Sequence, residues 1–267
     1  MALVTPQPLV VQGKPARIWR GGSGDPLVLI HGGVGDAEVH WGANFEALAQ
    51  HYDVIAPDLP GLGISDPLPQ PTFQAYLDWL NSLFESHRLI DRLRLIGNSL
   101  GGALARLYAA AHPDEVVRLV LVDGGTILDV PGCLHPFFRL PLLTDFAFEW
   151  YRRRAYSLDG LRRMIHRESL LTPDLIARSQ KTSYGFSTAM RQIATSTPPM
   201  LRTPTCPTLV VWGEDDHLSS LQNGTALAAS IPGAHFHAIK NAGHMPQFEQ
   251  PDEFSAIVLK FLSGSSP

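Results

Sequence analysis

Short, mostly apolar runs recur along the chain at 9–11, 16–19, 27–30, 54–56, 93–96, 117–122, 208–211 and 235–239. They are too short for buried helices, and their valine, isoleucine and leucine content predicts strands. Between most of them the apolar positions switch to a three- and four-residue spacing, near 41–50, 72–88, 100–111, 220–230 and 252–262, which predicts helices. Strands alternating with helices imply a mostly parallel sheet covered on both faces, with ligands collected at the carboxyl ends of the strands. The stretch 125–200 breaks this alternation. It is rich in aromatics, arginines and prolines, and its clearest helix is predicted at 158–168, headed by Ser157.

At 267 residues the chain is of a size that α/β architectures often fold as one domain. The expected organisation is a core formed by 1–124 and 201–267, with 125–200 as an inserted helical lid. In the lid, Arg152, Arg153, Arg154, Arg162 and Arg163 read as a solvated helix face, because Leu161, Met164 and Ile165 already define a buried side. The apolar cluster Leu134, Phe137, Phe138, Leu142, Phe146, Phe148 and Trp150 reads as lid core before acyl pocket. A net charge of −4 with 17% charged residues gives no case for nucleic-acid binding. Only Cys133 and Cys206 occur, no signal-peptide pattern opens the chain, and no apolar run approaches membrane-spanning length. The expectation is therefore a cytoplasmic protein with free thiols and no membrane partner.

The chemistry is carried by Gly97-Asn98-Ser99-Leu100-Gly101, a G-x-S-x-G sequence between a predicted strand and a predicted helix. A serine on so sharp a turn is pushed outward, and glycine is needed on either side, where a Cβ would collide. A nucleophilic serine needs a base and a carboxylate to orient that base. The strand at 208–211 ends in Gly213-Glu214-Asp215-Asp216, and the strand at 235–239 runs into a loop carrying Gly243-His244. Both lie at the sheet edge of Ser99. Asp215 and Asp216 compete for the role of acid, and Asp123, just past the strand at 117–122, is a third option.

Together with Ile30-His31-Gly32-Gly33 and the run 54–66, these segments resemble the α/β-hydrolase superfamily over nearly the whole chain outside 125–200. The resemblance implies an α/β-hydrolase fold with an eight-stranded, mostly parallel sheet and helices on both faces. It selects Asp216 as the acid, making Ser99, Asp216 and His244 the catalytic set. Leu100, the residue after the nucleophile, supplies one oxyanion-hole N–H, and by resemblance Gly33 supplies the other. His31 is expected to be structural, its ring bonded to loop backbone. Gly61-Leu62-Gly63 lacks the third glycine of a dinucleotide loop and reads as a turn, and His235 with His237 has no third ligand at metal spacing. No cofactor or metal is expected.

Within the superfamily, dehalogenases and epoxide hydrolases use an aspartate where this chain has Ser99. The sequence is closer to meta-cleavage-product hydrolases, which cleave a C–C bond in dienoates, through Asn98, Gly32, Gly33 and residues 168–175. It departs from them in having Met245, not tryptophan, after the histidine, and in placing Arg178 one position off their carboxylate-binding arginine. Gly32, Asn98, Arg178 and Met245 are thus the candidate substrate contacts, with Arg178 a surface residue if the enzyme is a plain esterase. The reading is a serine hydrolase of a small-molecule carboxylic ester or related acyl compound. C–C hydrolysis of an anionic dienoate is the alternative, and a ligand-binding protein without turnover the remote one.

Overall fold

The computed structural model describes residues 4–89, 92–126, 141–196 and 202–264. Eight strands form one sheet: β1 (Thr5–Val11), β2 (Lys14–Gly22), β3 (Pro26–Ile30), β4 (Asp53–Pro57), β5 (Leu93–Asn98), β6 (Val116–Val122), β7 (Thr208–Gly213) and β8 (His235–Ile239). Their spatial order is β1-β2-β4-β3-β5-β6-β7-β8. The antiparallel pairs are β1 with β2 and β2 with β4, and every other neighbouring pair is parallel. This is the eight-stranded, mostly parallel sheet that the apolar runs imply. The chain leaves β3 for β4 on one side and returns to β5 on the other, so the order reverses at β3. Ligands of open α/β sheets bind at such a reversal, at the strands' carboxyl ends.

The central strands β3 to β7 are buried on both faces, and successive side chains sort onto opposite sides. Val28, Ile30, Leu119, Leu121, Val210 and Trp212 pack with α3 (Phe73–Ser86), α4 (Leu100–Ala111) and α8 (Leu221–Ala229). Leu27, Leu29, Val120, Val122, Leu209 and Val211 pack with α1 (Ala37–Trp41), α2 (Phe45–Ala49) and α10 (Pro251–Leu262).

Between β6 and β7 the chain forms α5 (Pro141–Ala155), α6 (Leu158–Met164) and α7 (Pro173–Thr195). Ser157 caps α6 by accepting the Gly160 N–H at 3.1 Å, and Leu161, Met164 and Ile165 are buried. The helix stops at Met164, four residues short of the expected 168. The Met164 carbonyl, which a longer helix would spend on residue 168, instead accepts the His244 N–H at 2.6 Å, and the Arg167 N–H goes to Glu249 Oε2 at 2.9 Å. The insertion joins the core through a third apolar cluster that includes Val34, Val39, Leu161, Met164, Leu175 and Met245. Arg152 and Arg153 pair with Glu149, and Arg162 with Asp159 and Glu168, as a solvated face would. The expected lid core fares differently. Phe146 and Trp150 on α5 are 73% and 59% exposed and Phe148 is half-buried. Cys133, Leu134, Phe137, Phe138 and the side chain of Leu142 lie outside the described residues. Among the described residues, no helix is long and apolar enough to cross a membrane.

Candidate active site

Ser99 sits between β5 and α4 with φ 53° and ψ −116°, a left-handed-side conformation that costs a non-glycine residue about 1–3 kcal/mol and persists only where its surroundings enforce it. They do so here on several sides. The Ser99 N–H donates to the Val122 carbonyl at 3.0 Å, and its own carbonyl accepts the Ala103 N–H at 3.1 Å. A Cβ on Gly97 would strike the Gly101 backbone, and one on Gly101 would strike the carbonyls of Ile30 and His31. The two glycines of the pentapeptide therefore let strand, turn and helix close on each other and on β3.

His244 lies in the loop after β8 and is 5% exposed. Its Nδ1 is 2.7 Å from Asp216 Oδ2. Asp216 Oδ1 accepts the Leu218 and Ser219 N–H groups at 2.7 and 2.9 Å, so its acceptor-only oxygens assign the ring proton to Nδ1. Burial alone would raise the Asp216 carboxyl, but the hydrogen bond and charge of His244 and the Ser219 N–H outweigh it and hold the group below its ordinary value. His244 Nε2 is then a lone-pair nitrogen, buried and without a hydrogen-bond partner among the described residues. Ser99 and His244 line the same cavities. Asp215 is directed elsewhere: its N–H donates to the Ala242 carbonyl and its carboxylate lies 3.8 Å from His166. The histidine loop is braced by Glu249, whose buried carboxyl is pushed up by desolvation and accepts the N–H groups of Gly243 and Arg167 at 2.8 and 2.9 Å.

Leu100 opens α4, whose first N–H groups have no partner within the helix. Gly33 follows β3 and lines a cavity of about 30 Å³ with Ser99 and His244. Gly32 lies against the elbow, where a Cβ would come within 3.0 Å of Asn98 Oδ1 and Ser99 Cβ. Asn98 Nδ2 donates to the carbonyls of Val122 and His244, both at 3.1 Å, which ties the end of β5 to the histidine loop. Asn98 and Met245 also line the small cavity. His31 is locked into backbone: Nδ1 donates to the Gly32 carbonyl at 2.7 Å and Nε2 accepts the Leu59 N–H at 2.8 Å.

Arg178 is the exception among the expected site residues. Its Nη2 binds Asp36 Oδ1 at 2.6 Å and Glu38 Oε2 at 2.8 Å, and it lines neither cavity. Asp36 caps α1 and also meets Arg17, so the guanidinium clamps α7 to the loop after β3. It is therefore not a free surface charge.

Three side chains of the site have no sequence signature. Tyr156, buried between α5 and α6, donates its hydroxyl to the Gly33 carbonyl at 2.6 Å. Phe186 of α7 covers Gly33, where a Cβ would run into its ring. His40, buried in α1, lines the small cavity. Burial holds its imidazole well below the ordinary value, so it is neutral. Only Asp36, a capping residue ahead of a helix, left a readable trace. The larger of the two cavities lined by Ser99, about 370 Å³, is walled by Phe73, Leu100, Ala103, Phe186, Met190, Ile193 and Leu218, and no lysine or arginine is among its described lining residues.

Fold, reversal point and elbow define a hydrolase of the α/β class. Residues 27–257 match the model of the "Alpha/beta hydrolase family", and the chain belongs to that family. A 2-hydroxy-6-oxononadienedioate/2-hydroxy-6-oxononatrienedioate hydrolase of Cupriavidus pinatubonensis is 31% identical over 91% of this chain and 88% of its own. A thermophilic esterase from Thermogutta terrifontis superposes with a TM-score of 0.78 at 26% identity, covering 97% of this chain and 98% of the other. A meta-cleavage product hydrolase from Pseudomonas fluorescens gives 0.75 at 26% identity with the same coverage.

Proposed function

We propose that this protein hydrolyses carboxylic esters of small, largely apolar and uncharged acids, with Ser99 as nucleophile, His244 as base and Asp216 as the group that orients it. The observation that carries the reading is the lone-pair Nε2 of His244, held by Asp216 on its far side and sharing a cavity with the elbow serine. His244 takes the Ser99 proton as Oγ attacks the carbonyl carbon. The resulting oxyanion meets the N–H groups of Leu100 and Gly33, each worth roughly 10²–10³ in rate. Collapse expels the alcohol, which takes its proton from His244. Water activated by the same imidazole then releases the acid and frees Ser99. Residues 125–200 serve as a lid whose Phe186 and Tyr156 press on the oxyanion loop, and no cofactor takes part.

The choice of ester over dienoate rests on Arg178 and on the cavity wall. A carboxylate-bearing substrate calls for a cation, and the arginine nearest in register is already paired twice. The C–C hydrolase reading draws its support from the relatives named for dienoate substrates. A panel of p-nitrophenyl esters run beside a dienoate ring-fission product separates the two: higher kcat/KM on a neutral ester supports the first, the reverse order the second. A fluorophosphonate should label the wild type and not Ser99→Ala, and that variant should lose about 10⁴-fold or more of turnover. Retention of a tenth of the activity would reject Ser99.

A further inference from the structure

Two carboxyl groups stand behind His244. Asp123 follows β6 with φ 42° and is 1% exposed. Its Oδ1 accepts the Gly213 N–H at 3.0 Å, while Oδ2 is buried with no acceptor-type hydrogen bond among the described residues. For an ionised carboxylate that arrangement leaves a charged oxygen stripped of water and unpaired, a severe penalty. Asp216 is in the opposite position, its oxygens bonded to Leu218, Ser219 and His244. Asp123, Asp216 and His244 each bring an oxygen or nitrogen within 4.8 Å of the others.

Two carboxylates buried this close do not both ionise; one keeps a proton. The titratable groups that bear on Asp123 are Asp216 from the loop after β7, His244 from the loop after β8 and Glu249 from α9 (Pro246–Glu249). Burial first, then the charge of Asp216, pushes the Asp123 carboxyl well above its usual range, with Asp216 in hydrogen-bonding reach. A proton on Asp123 removes the second charge and converts the unpaired oxygen into a donor.

We propose that Asp123 is a positioning residue that stays protonated at neutral pH and hydrogen-bonds Asp216, so that an acid–carboxylate pair, not a lone carboxylate, orients His244. This rests on the Ser99, His244 and Asp216 reading above, because Asp123 acts on the reaction only through Asp216. The site then holds one negative charge to match the one imidazolium formed in turnover.

Infrared difference spectroscopy of the whole protein tests it without substrate, so its failure is separate from a failure of the ester reading. The wild type at pH 7 should show a protonated-carboxyl C=O band that Asp123→Asn removes. Raising the pH should abolish the band, and Asp216→Asn should shift that titration to lower pH, because the like charge opposing ionisation is gone. In turnover, Asp123→Leu should lose roughly tenfold in kcat, the scale of one hydrogen bond to a charged group. Asp123→Asn, whose amide still donates to Asp216 and still accepts from Gly213, should recover most of it. No carboxyl band assignable to Asp123, or a band whose titration ignores Asp216→Asn, overturns the proposal. Should Asp123→Asn not fold, the Asp216→Asn titration alone decides it.

Discussion

The orientation of one imidazole turns on which of two adjacent aspartates faces it. Asp216 does and Asp215 does not, the latter lying 3.8 Å from His166. Asp216→Asn should therefore cost about 10⁴-fold in kcat, since an amide that donates to Nδ1 forces the wrong tautomer. Asp215→Asn should stay within about twofold, as surface changes do; steady-state kinetics on one ester ranks the pair, and the reverse ranking would move the acid. A second residue-scale expectation concerns Gly33. Gly33→Ala drives a methyl into the Phe186 ring and displaces the N–H assigned to the oxyanion, so kcat should fall by roughly tenfold or more. Phe186→Ala in the same chain should restore part of that loss if the clash is its cause, a non-additivity a double-mutant cycle reads directly. Ser99 and His244 stood out as candidates because each is tied to a short motif at a strand end, whereas Asp216 was separable from Asp215 and Asp123 only through the family resemblance. Tyr156 was not readable: a hydroxyl reaching the Gly33 carbonyl across 123 positions leaves no local pattern.

At the scale of elements, α7 does the most to shape the site. One 23-residue helix sets Phe186 against Gly33, carries Met190 and Ile193 into the cavity wall, and clamps α1 through Arg178. Arg178→Ala should lower unfolding stability by about 1 kcal/mol, the upper range for a partly exposed pair, as read by urea melts. KM for a neutral ester should stay near wild type; a selective rise in KM for a dienoate would return Arg178 to the substrate. The one-position offset from the dienoate pattern already carried this warning, since one residue turns a helical side chain by roughly 100°. Helix boundaries were less legible than helix existence. The end of α6 depends on the Met164 carbonyl binding the His244 N–H, a long-range contact that periodicity cannot register. Phe146 and Trp150 on α5 misled for a related reason: an apolar, aromatic segment predicts burial, yet these two face outward.

For the molecule as a whole, strand positions were the most legible feature, because central strands buried on both faces demand apolar runs, and Leu27–Ile30 or Leu119–Val122 can hardly be anything else. That same burial makes stability depend on pH. Unfolded, His40 takes up a proton below about pH 6.5; folded, burial keeps it neutral to lower pH. Unfolding thus consumes a proton in that window, and His40 lowers stability as pH falls through it by up to about 1.4 kcal/mol per pH unit. Urea unfolding at pH 6.5 and 5.5 should show that part of the slope vanish in His40→Gln, and an unchanged slope would mean that His40 titrates normally in the fold. The bond from the His244 N–H to the Met164 carbonyl bears on how such a protein can be rebuilt. Insertions like 141–196 are natural units for exchange when a new specificity is wanted, but here the donated segment would have to bring its own acceptor at position 164 and its own donor to Glu249 at position 167. A graft chosen only for its cavity wall would arrive with the His244 loop unmoored, and would be scored as a poor specificity choice when its fault was mechanical.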